Sequence, residues 1–511
     1  MNDTSPNPDA TGHGWLPSLS AVLWVVLFLG LNFTSARIVL ISGDSDSALH
    51  RRLGDWMIQH RAVVWEDHLL HTYRGPAMAK EWLSEVFMAA AGQWFGWNGV
   101  VLLAASLIAT CFWLLHRQLL AEGCDAATAT VLVLTAMLAC SMHWLARPLL
   151  FTHLLTVIFA WQLRWFQRGR IPARRLFLLL PLLMVLWANL HGAFPTGLIL
   201  IALYAVGSAL DAWRQSAPDA KPKQLATLLA ICGGACLVNP VGWRLPAQIV
   251  SFLGSRELST VTTEFGSPNF HTVGMHGFLL LLLLLAVGLI VIRPKPNATD
   301  VLLIGGWGCF ALFSARNVPI FALVVTPILA QWFTEFAQAN QDSPWVRRYR
   351  DRAATTANIG HKTDVAVIVI TAIGVLLIVA KPAIAGGSPL YATDFPSDRY
   401  PVAAVEYVRA HPDAVHGEMF NDFLWGGYIE FALPQRKPFI DSRNYSYGLD
   451  LFHEFRTVDT PKPGWETVFA KYHVDWTILP PQHPLNQVLR LCPDWHVAFS
   501  NRQALVFSRQ S

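Results

Sequence analysis

Apolar residues run through this chain in eleven stretches separated by polar connections: about 19–42, 98–116, 126–145, 148–166, 175–191, 194–210, 224–238, 277–292, 301–314, 318–333 and 365–386. Runs near the ~20 residues that carry a helix across a bilayer predict membrane spans rather than core helices. Two are weaker as spans, since 224–238 is short and 301–314 is Gly-rich. The segment 82–97, with Trp82, Phe87, Trp94 and Trp97, reads as a helix on the membrane surface. The pattern changes after 390. PVAAVEYVRAHP (401–412) and WETVFAKYH (465–473) have helical apolar spacing. GEMFND (417–422), RKPFIDSR (436–443), HVDWTILP (473–480) and ALVFSR (504–509) read as strands. Helices alternating with strands predict a small α/β domain. WGGY (425–428) predicts a tight turn, and Asp441 and Arg443 an ion pair that fixes the fold or lines the mouth of a site.

Composition agrees. The chain has 511 residues, 53% hydrophobic and 14% charged, with mean hydropathy +0.37, whereas soluble domains are about 25% charged. Lys and Arg gather in alternate connections: RWFQRGRIPARR (164–175), RQSAPDAKPK (214–223), RPK (293–295) and WVRRYRDR (345–352). These should be cytoplasmic. The expected plan is a polytopic α-helical membrane protein of about eleven transmembrane helices in the inner membrane. A cytoplasmic tail (1–18) precedes a membrane domain (19–386) with a large first outer loop (43–97), and an extracytoplasmic α/β domain (390–511) follows. The segment 334–364 reads as a cytoplasmic loop. A net charge of +4, held largely in these loops, excludes nucleic acid as a partner. Seven cysteines show no CxxC spacing, and Cys232 and Cys236 read as helix-packing residues.

The outer connections hold the chemistry. Asp44 and Asp46 follow the first span. His50, Glu66, Asp67, His71, Lys80, Glu81 and Glu85 share its loop. His143 and Arg147 sit in the next outer turn, with His153 just inside the following span. Asn189 and His191 close the fifth span. Asn239, Arg244 and Glu264 lie in the next outer loop, and Arg316 and Asn317 end the ninth span. Each has an ordinary alternative: arginines anchoring helix ends, amides bonding a neighbouring helix, an Asn-Pro turn. Their shared side of the membrane favours one site. A carboxylate serves as general base, Arg clamps a phosphate, and His and Asn position a sugar. These suit transfer of a sugar from a lipid phosphate.

The motifs GDSDSALHRRLGDWMIQH (43–60), WEDH (65–68), EWLSEV (81–86), ARPLLFTHLL (146–155), LWANLHGAF (186–194), NPVGWR (239–244) and SARNVPIFAL (314–323) resemble a bacterial branch of the GT-C superfamily. NDFLWGGYIEF (421–431) and FIDSRNYSYG (439–448) extend the likeness. These are integral-membrane glycosyltransferases using polyprenyl-phosphate sugars at the outer face. The resemblance implies a GT-C-like fold, a polyprenyl-phosphate sugar as donor and a glycan, lipid or protein as acceptor. It also implies a catalytic acid in the first outer loop, at Asp44 or Asp46, with Glu66 or Asp67 as a second acidic position. No motif calls for a cofactor. Asp44, Asp46 and Glu264 leave room for a divalent cation, on which members of the superfamily differ. Two other classes share the outline: a transporter or flippase of lipid-linked sugars, and a non-catalytic assembly partner in the cell envelope. The first is mildly disfavoured, since the sequence shows no obvious paired broken helices or inverted repeats and few acids deep in the spans.

Overall fold

The structure is a computed structural model and describes residues 17–78, 80–216, 218–254, 263–344, 346–349, 363–385 and 393–510. Residues 1–16 of the expected tail, and 345 and 350–352 of the last basic run, lie outside the described residues.

All eleven apolar stretches are helical. The first breaks into α1 (Leu19–Phe33) and α2 (Ala36–Ser42), bent by 71°. Capping sets the break. Ser18 accepts from the Ala21 amide to start α1, and the Thr34 hydroxyl donates to the Gly30 carbonyl at its end. After α3 (Asp46–His60) come α4 (Trp82–Ala121), α5 (Ala126–Cys140), α6 (Leu149–Gln167), α7 (Ala173–Leu190), α8 (Pro195–Gln215), α9 (Lys221–Ala235) and α10 (Arg244–Gly254). Helices Val273–Val287, Ala298–Phe313, Val318–Ala339 and Asp364–Ala385 complete the bundle. The expected surface helix 82–97 is the first half of α4, set off by a kink at Phe95 and Gly96.

Among the described residues, seven helices are long and apolar enough to cross a membrane, or eight if α1 and α2 make one span. The chain is thus a multi-pass membrane protein, and eleven full spans is more than these helices supply. Helices α9 and Ala298–Phe313 have only 15 and 16 residues, short of the ~20 that span a bilayer. Leu178, Leu182, Val131 and Phe313 stand exposed on the helix surfaces, as lipid-facing side chains do.

At one end of the bundle, two arginines of the basic run 164–175 are not solvated loop charges. Arg164 and Arg168 pair with Glu122 at 2.9 and 2.8 Å, and Arg164 with Asp300 at 3.2 Å. Arg164, at 3% exposure, ties α4, α6 and Ala298–Phe313 together.

At the opposite end lie α3, the 61–80 loop and the C-terminal domain. That domain is α/β as expected. Its four-stranded sheet has the order β1-β2-β4-β3. β1 (Glu418–Asn421) pairs parallel with β2 (Val474–Leu479). β4 (Leu505–Arg509) runs antiparallel to both β2 and β3 (Trp495–Ser500). β3 has no counterpart among the expected strands. Two expectations are corrected. RKPFIDSR is not a strand, because the Asn421 side chain occupies its backbone. Asn421 Oδ1 accepts from the Phe439 and Ile440 amides, and its Nδ2 donates to the Ile440 carbonyl. WGGY is not a tight turn, since Gly426 begins a helix (Gly426–Ala432) and neither glycine has positive φ. Both are needed for close approach. A Cβ on Gly426 would meet the Ile440 carbonyl at 2.3 Å, and one on Gly427 the Ser45 carbonyl at 2.6 Å. On the other side of α3, a Cβ on Gly54 would meet the Glu85 carbonyl at 2.0 Å.

The 61–80 loop is built into this domain. Leu70 belongs to its apolar core with Phe420, Phe439 and Phe455. The His71 ring bonds the Met419 carbonyl at 2.9 Å, and the Thr72 hydroxyl donates to the Phe439 carbonyl at 2.6 Å. Asp67 accepts from the Leu69 and Leu70 amides and pairs with Arg443 at 3.0 Å. Arg443 also grips Asp441, to which it makes two donations, and faces Glu430 at 3.5 Å. Burial, with Asp441 beside it, raises the Glu430 carboxyl well above the ordinary range. The Arg443 guanidinium balances Asp67 and Asp441, and the Asp441–Arg443 pair fixes structure.

Arg443→Met removes that balance and is expected to cost about 3–5 kcal/mol. Gly427→Val forces the domain off α3 at a cost of about 1–3 kcal/mol. Both should lower the thermal unfolding midpoint of the detergent-solubilised protein and expose the 61–80 loop to protease. An unchanged cleavage pattern in both variants would contradict this docking.

Candidate active site

Short turns between helices bring the polar residues together. Gly43–Ser45 leads into α3. The others are the single turns Ser141–His143, Thr263–Phe265 and Ala315–Asn317. The Ala146 amide donates to the Leu40 carbonyl at 2.6 Å, and Gly43 lies where a Cβ would strike Leu145. Asp44 Oδ1 accepts from the Asp46 amide at 2.9 Å, so the two acids share one turn. These contacts set the turn of Asp44 and Asp46 against the turn of Arg147.

Arg147 is the centre of the first cluster. Its Nη2 pairs with Asp44 and lies 3.3 Å from Asp46, and its Nη1 lies 2.9 Å from Glu264. Arg316 joins the far oxygen of Glu264 at 3.4 Å and stacks over Phe265. The three carboxylates keep about a fifth of their side-chain surface open, at 21%, 22% and 21%. Ser442 of the C-terminal domain donates to Asp46 Oδ1 at 2.6 Å. Burial pushes the Asp46 carboxyl up, and the nearby His50 and the Ser442 bond only partly offset it. Burial also pushes Glu264 up, but Arg147 and Arg316 outweigh it and hold Glu264 at about 2.

Glu81 is the centre of a second cluster. His50 Nε2 lies 3.8 Å from Glu81 and its Nδ1 3.0 Å from Glu85. His191 Nε2 lies 3.4 Å from the other oxygen of Glu81, while its Nδ1 faces the Thr152 hydroxyl at 2.8 Å. Burial raises Glu81, but Lys80, His191, His50 and Arg316 together bring it down to about 2. Burial lowers His191 to about 3, leaving it neutral. His50 is raised despite its burial, because Glu85 and Glu81 favour its charged form. Between the clusters, His143 and His153 are buried, each with an unpartnered Nε2.

Two sets have donor types for a divalent ion. His50, Glu81 and Glu85 offer ligand atoms within 4.8 Å of one another. Glu85 and Glu81 favour the charged form of His50 in that set, and Lys80 lies nearby. In the second, Asp44, Asp46 and Glu264, all three carboxylates pair with the guanidinium of Arg147.

The other expected residues fall outside both clusters. Glu66 is exposed and forms only a backbone bridge to Pro76. Asp67 is taken up by Arg443. Arg244 is exposed at the start of α10. Asn189 accepts from Trp82 and donates to the Val185 and Val238 carbonyls. Asn239 closes its own turn onto Cys236 and Gly242, and Asn317 donates to the Phe310 carbonyl. These three asparagines do structural work in the described contacts. Ser442 and Tyr400, whose hydroxyl donates to the Ser42 carbonyl at 3.2 Å, join the site from a distance of more than 350 residues in sequence. No local pattern marks either, although Ser442 lies within FIDSRNYSYG.

A small apolar void lined by Met88, Val100, Ala104, Leu150 and Phe151 also touches Arg147.

No family model and no curated protein matches the chain. Solved structures do. The archaeal oligosaccharyltransferase AglB from Archaeoglobus fulgidus, in complex with an inhibitory peptide and a dolichol-phosphate, aligns at 14% identity and a TM-score of 0.54. The alignment covers 90% of this chain and 69% of that one. ArnT from Cupriavidus metallidurans, bound to undecaprenyl phosphate, aligns at 13% identity and a TM-score of 0.51, over 95% and 97%. The likeness extends over nearly the whole chain at an identity that speaks for architecture alone, and that architecture is the GT-C-like fold expected from the sequence.

Proposed function

We propose that this protein is a glycosyltransferase that moves a sugar from a polyprenyl-phosphate carrier to an acceptor in the cell envelope. One observation carries the reading: Arg147 and Arg316 meet three partly open carboxylates where four connections between helices converge, an arrangement suited to holding a sugar phosphate beside an acceptor. The neighbours in fold support it, one bound to undecaprenyl phosphate and the other to dolichol-phosphate and a peptide. The basic connections at the other end of the bundle support a site on the outer face of the inner membrane, with the C-terminal domain over it.

Asp46 is the general base. Its carboxyl is partly open to solvent, and burial raises its pKa toward the working range of a base. It takes the proton of the acceptor hydroxyl or amine. The acceptor atom then bonds to the anomeric carbon, while the bond from that carbon to the phosphate oxygen breaks and its electron pair leaves with the polyprenyl phosphate. Arg316 meets that phosphate. Of the arginines in the site it has a single ion pair and keeps 30% of its side chain exposed, whereas Arg147 is shared among three acids. Asp44 and Glu264 hold the two guanidinium groups in place.

Asp46→Asn is expected to reduce transfer at least a hundredfold while leaving the protein folded. Mass spectrometry of cells carrying it should show a polyprenyl-phosphate sugar accumulating and a surface glycan lost. A full glycan profile would remove Asp46 as the base, and a sugar flux into sealed vesicles without product would favour a transporter.

The pH dependence follows from the same residue. An essential base with a raised pKa must lose activity as pH falls through that raised value, so the acid limb of kcat/KM should lie above the ordinary aspartate value of 3.8. The Ser442 bond stabilises the charged carboxylate. Ser442→Ala should therefore move the limb to higher pH, and Ser442→Thr should restore it. A limb unmoved by Ser442→Ala would argue that another group titrates.

A further inference from the structure

We infer that Arg147 is a built-in replacement for a divalent cation: the three-carboxylate centre at which it sits needs no dissociable metal. The inference rests on the reading of this centre as the reaction site.

Asp44, Asp46 and Glu264 come from separate connections, the first two from the turn before α3 and the third from the Thr263–Phe265 turn. Three carboxylates brought together from separate connections repel one another unless a cation holds them, and such a cage is a common way to bind a hard divalent ion. Here the cation is covalent. Arg147 reaches in from the turn before α6, with Asp44 and Asp46 on Nη2 and Glu264 on Nη1. A divalent ion would draw oxygens to about 2.0–2.6 Å from a single point. The guanidinium instead spreads them across two nitrogens, and its charge is permanent at any working pH. Arg316, on the far oxygen of Glu264, adds a second fixed positive charge. The centre thus has the charge neutralisation of a metal site without an exchangeable ligand.

Removing Arg147 should turn the cage into a metal site. Mn2+ binding to the purified full-length protein in detergent, after EDTA treatment, is read by loss of the free-ion electron paramagnetic resonance signal. Arg147→Ala is expected to bind one more Mn2+ per chain than the wild type. Arg147→Ala with Asp46→Asn should bind that ion at least tenfold more weakly. Arg147→Lys should gain no ion. The comparison with wild type cancels any ion held by His50, Glu81 and Glu85, which all variants keep. A folded Arg147→Ala variant that gains no ion would overturn the inference. So would a wild-type protein whose own bound ion is lost on Asp44→Asn or Glu264→Gln. That wild-type arm decides the question even where Arg147→Ala fails to fold. Ion binding is read without any transfer assay, so a failed transferase reading and a failed replacement are told apart.

Discussion

Backbone lies directly against backbone on both sides of α3, and the position of the reactive acids depends on it. Gly54 lets α3 rest on the Glu85 carbonyl of α4, and Gly427 lets the C-terminal domain reach the Ser45 carbonyl. A side chain at either position would force the elements apart, since protein interiors have no slack for an added carbon at such distances. Asp46 opens α3, and His50 lies one turn along it. Each therefore faces its partners in other elements with little freedom: Asp46 toward Arg147 and Ser442, His50 toward Glu81 and Glu85.

Charge is handled differently at three places. On the face opposite the site, Arg164 and Arg168 meet Glu122 and Asp300 and join helices. In the C-terminal domain, Arg443 balances Asp67 and Asp441, and burial raises the neighbouring Glu430 carboxyl. At the site, opposing forces separate two carboxylates that share one guanidinium. For Glu264 two arginines outweigh burial, so it is a fixed anion. For Asp46 burial wins, so its charge is open to change. Pairs of groups pushed apart in this way commonly divide into a structural partner and a proton carrier.

Much of the architecture was legible in the sequence. The apolar stretches all became helices, and β1, β2 and β4 fell where period-two patterns placed them. Asp44, Asp46, Arg147, Glu264 and Arg316 converge as their shared side of the membrane suggested. Misreadings arose where a distant partner overrode a local signal. FIDSR has strand composition, but the Asn421 amide takes up its backbone groups. The glycines of WGGY answer to Ser45 and Ile440 rather than to a turn. Arg164 and Arg168 sit in a run that looks like a solvated basic loop, and their buried acids lie at 122 and 300. The asparagines at 189, 239 and 317, read as candidate sugar ligands, bond backbone carbonyls that no local pattern announces. Composition reports that a polar group is present, while only the three-dimensional neighbourhood shows what satisfies it.

Leu70 lies in the apolar core of a domain whose remaining members begin at Phe420. A ribosome makes the loop long before it makes the domain that houses it. Until Ser442 and Arg443 emerge, Asp46 has no serine donor and Asp67 has no arginine, and Leu70 waits longer, for a core that runs on to Phe507. The newborn membrane portion therefore waits with an unfinished site. A chain stopped before Ser442 leaves an unsheltered leucine and an unpaired acid in the loop, a handle for the proteases that clear incomplete membrane proteins. Assembly of the reactive centre thus depends on synthesis having passed through the C-terminal domain.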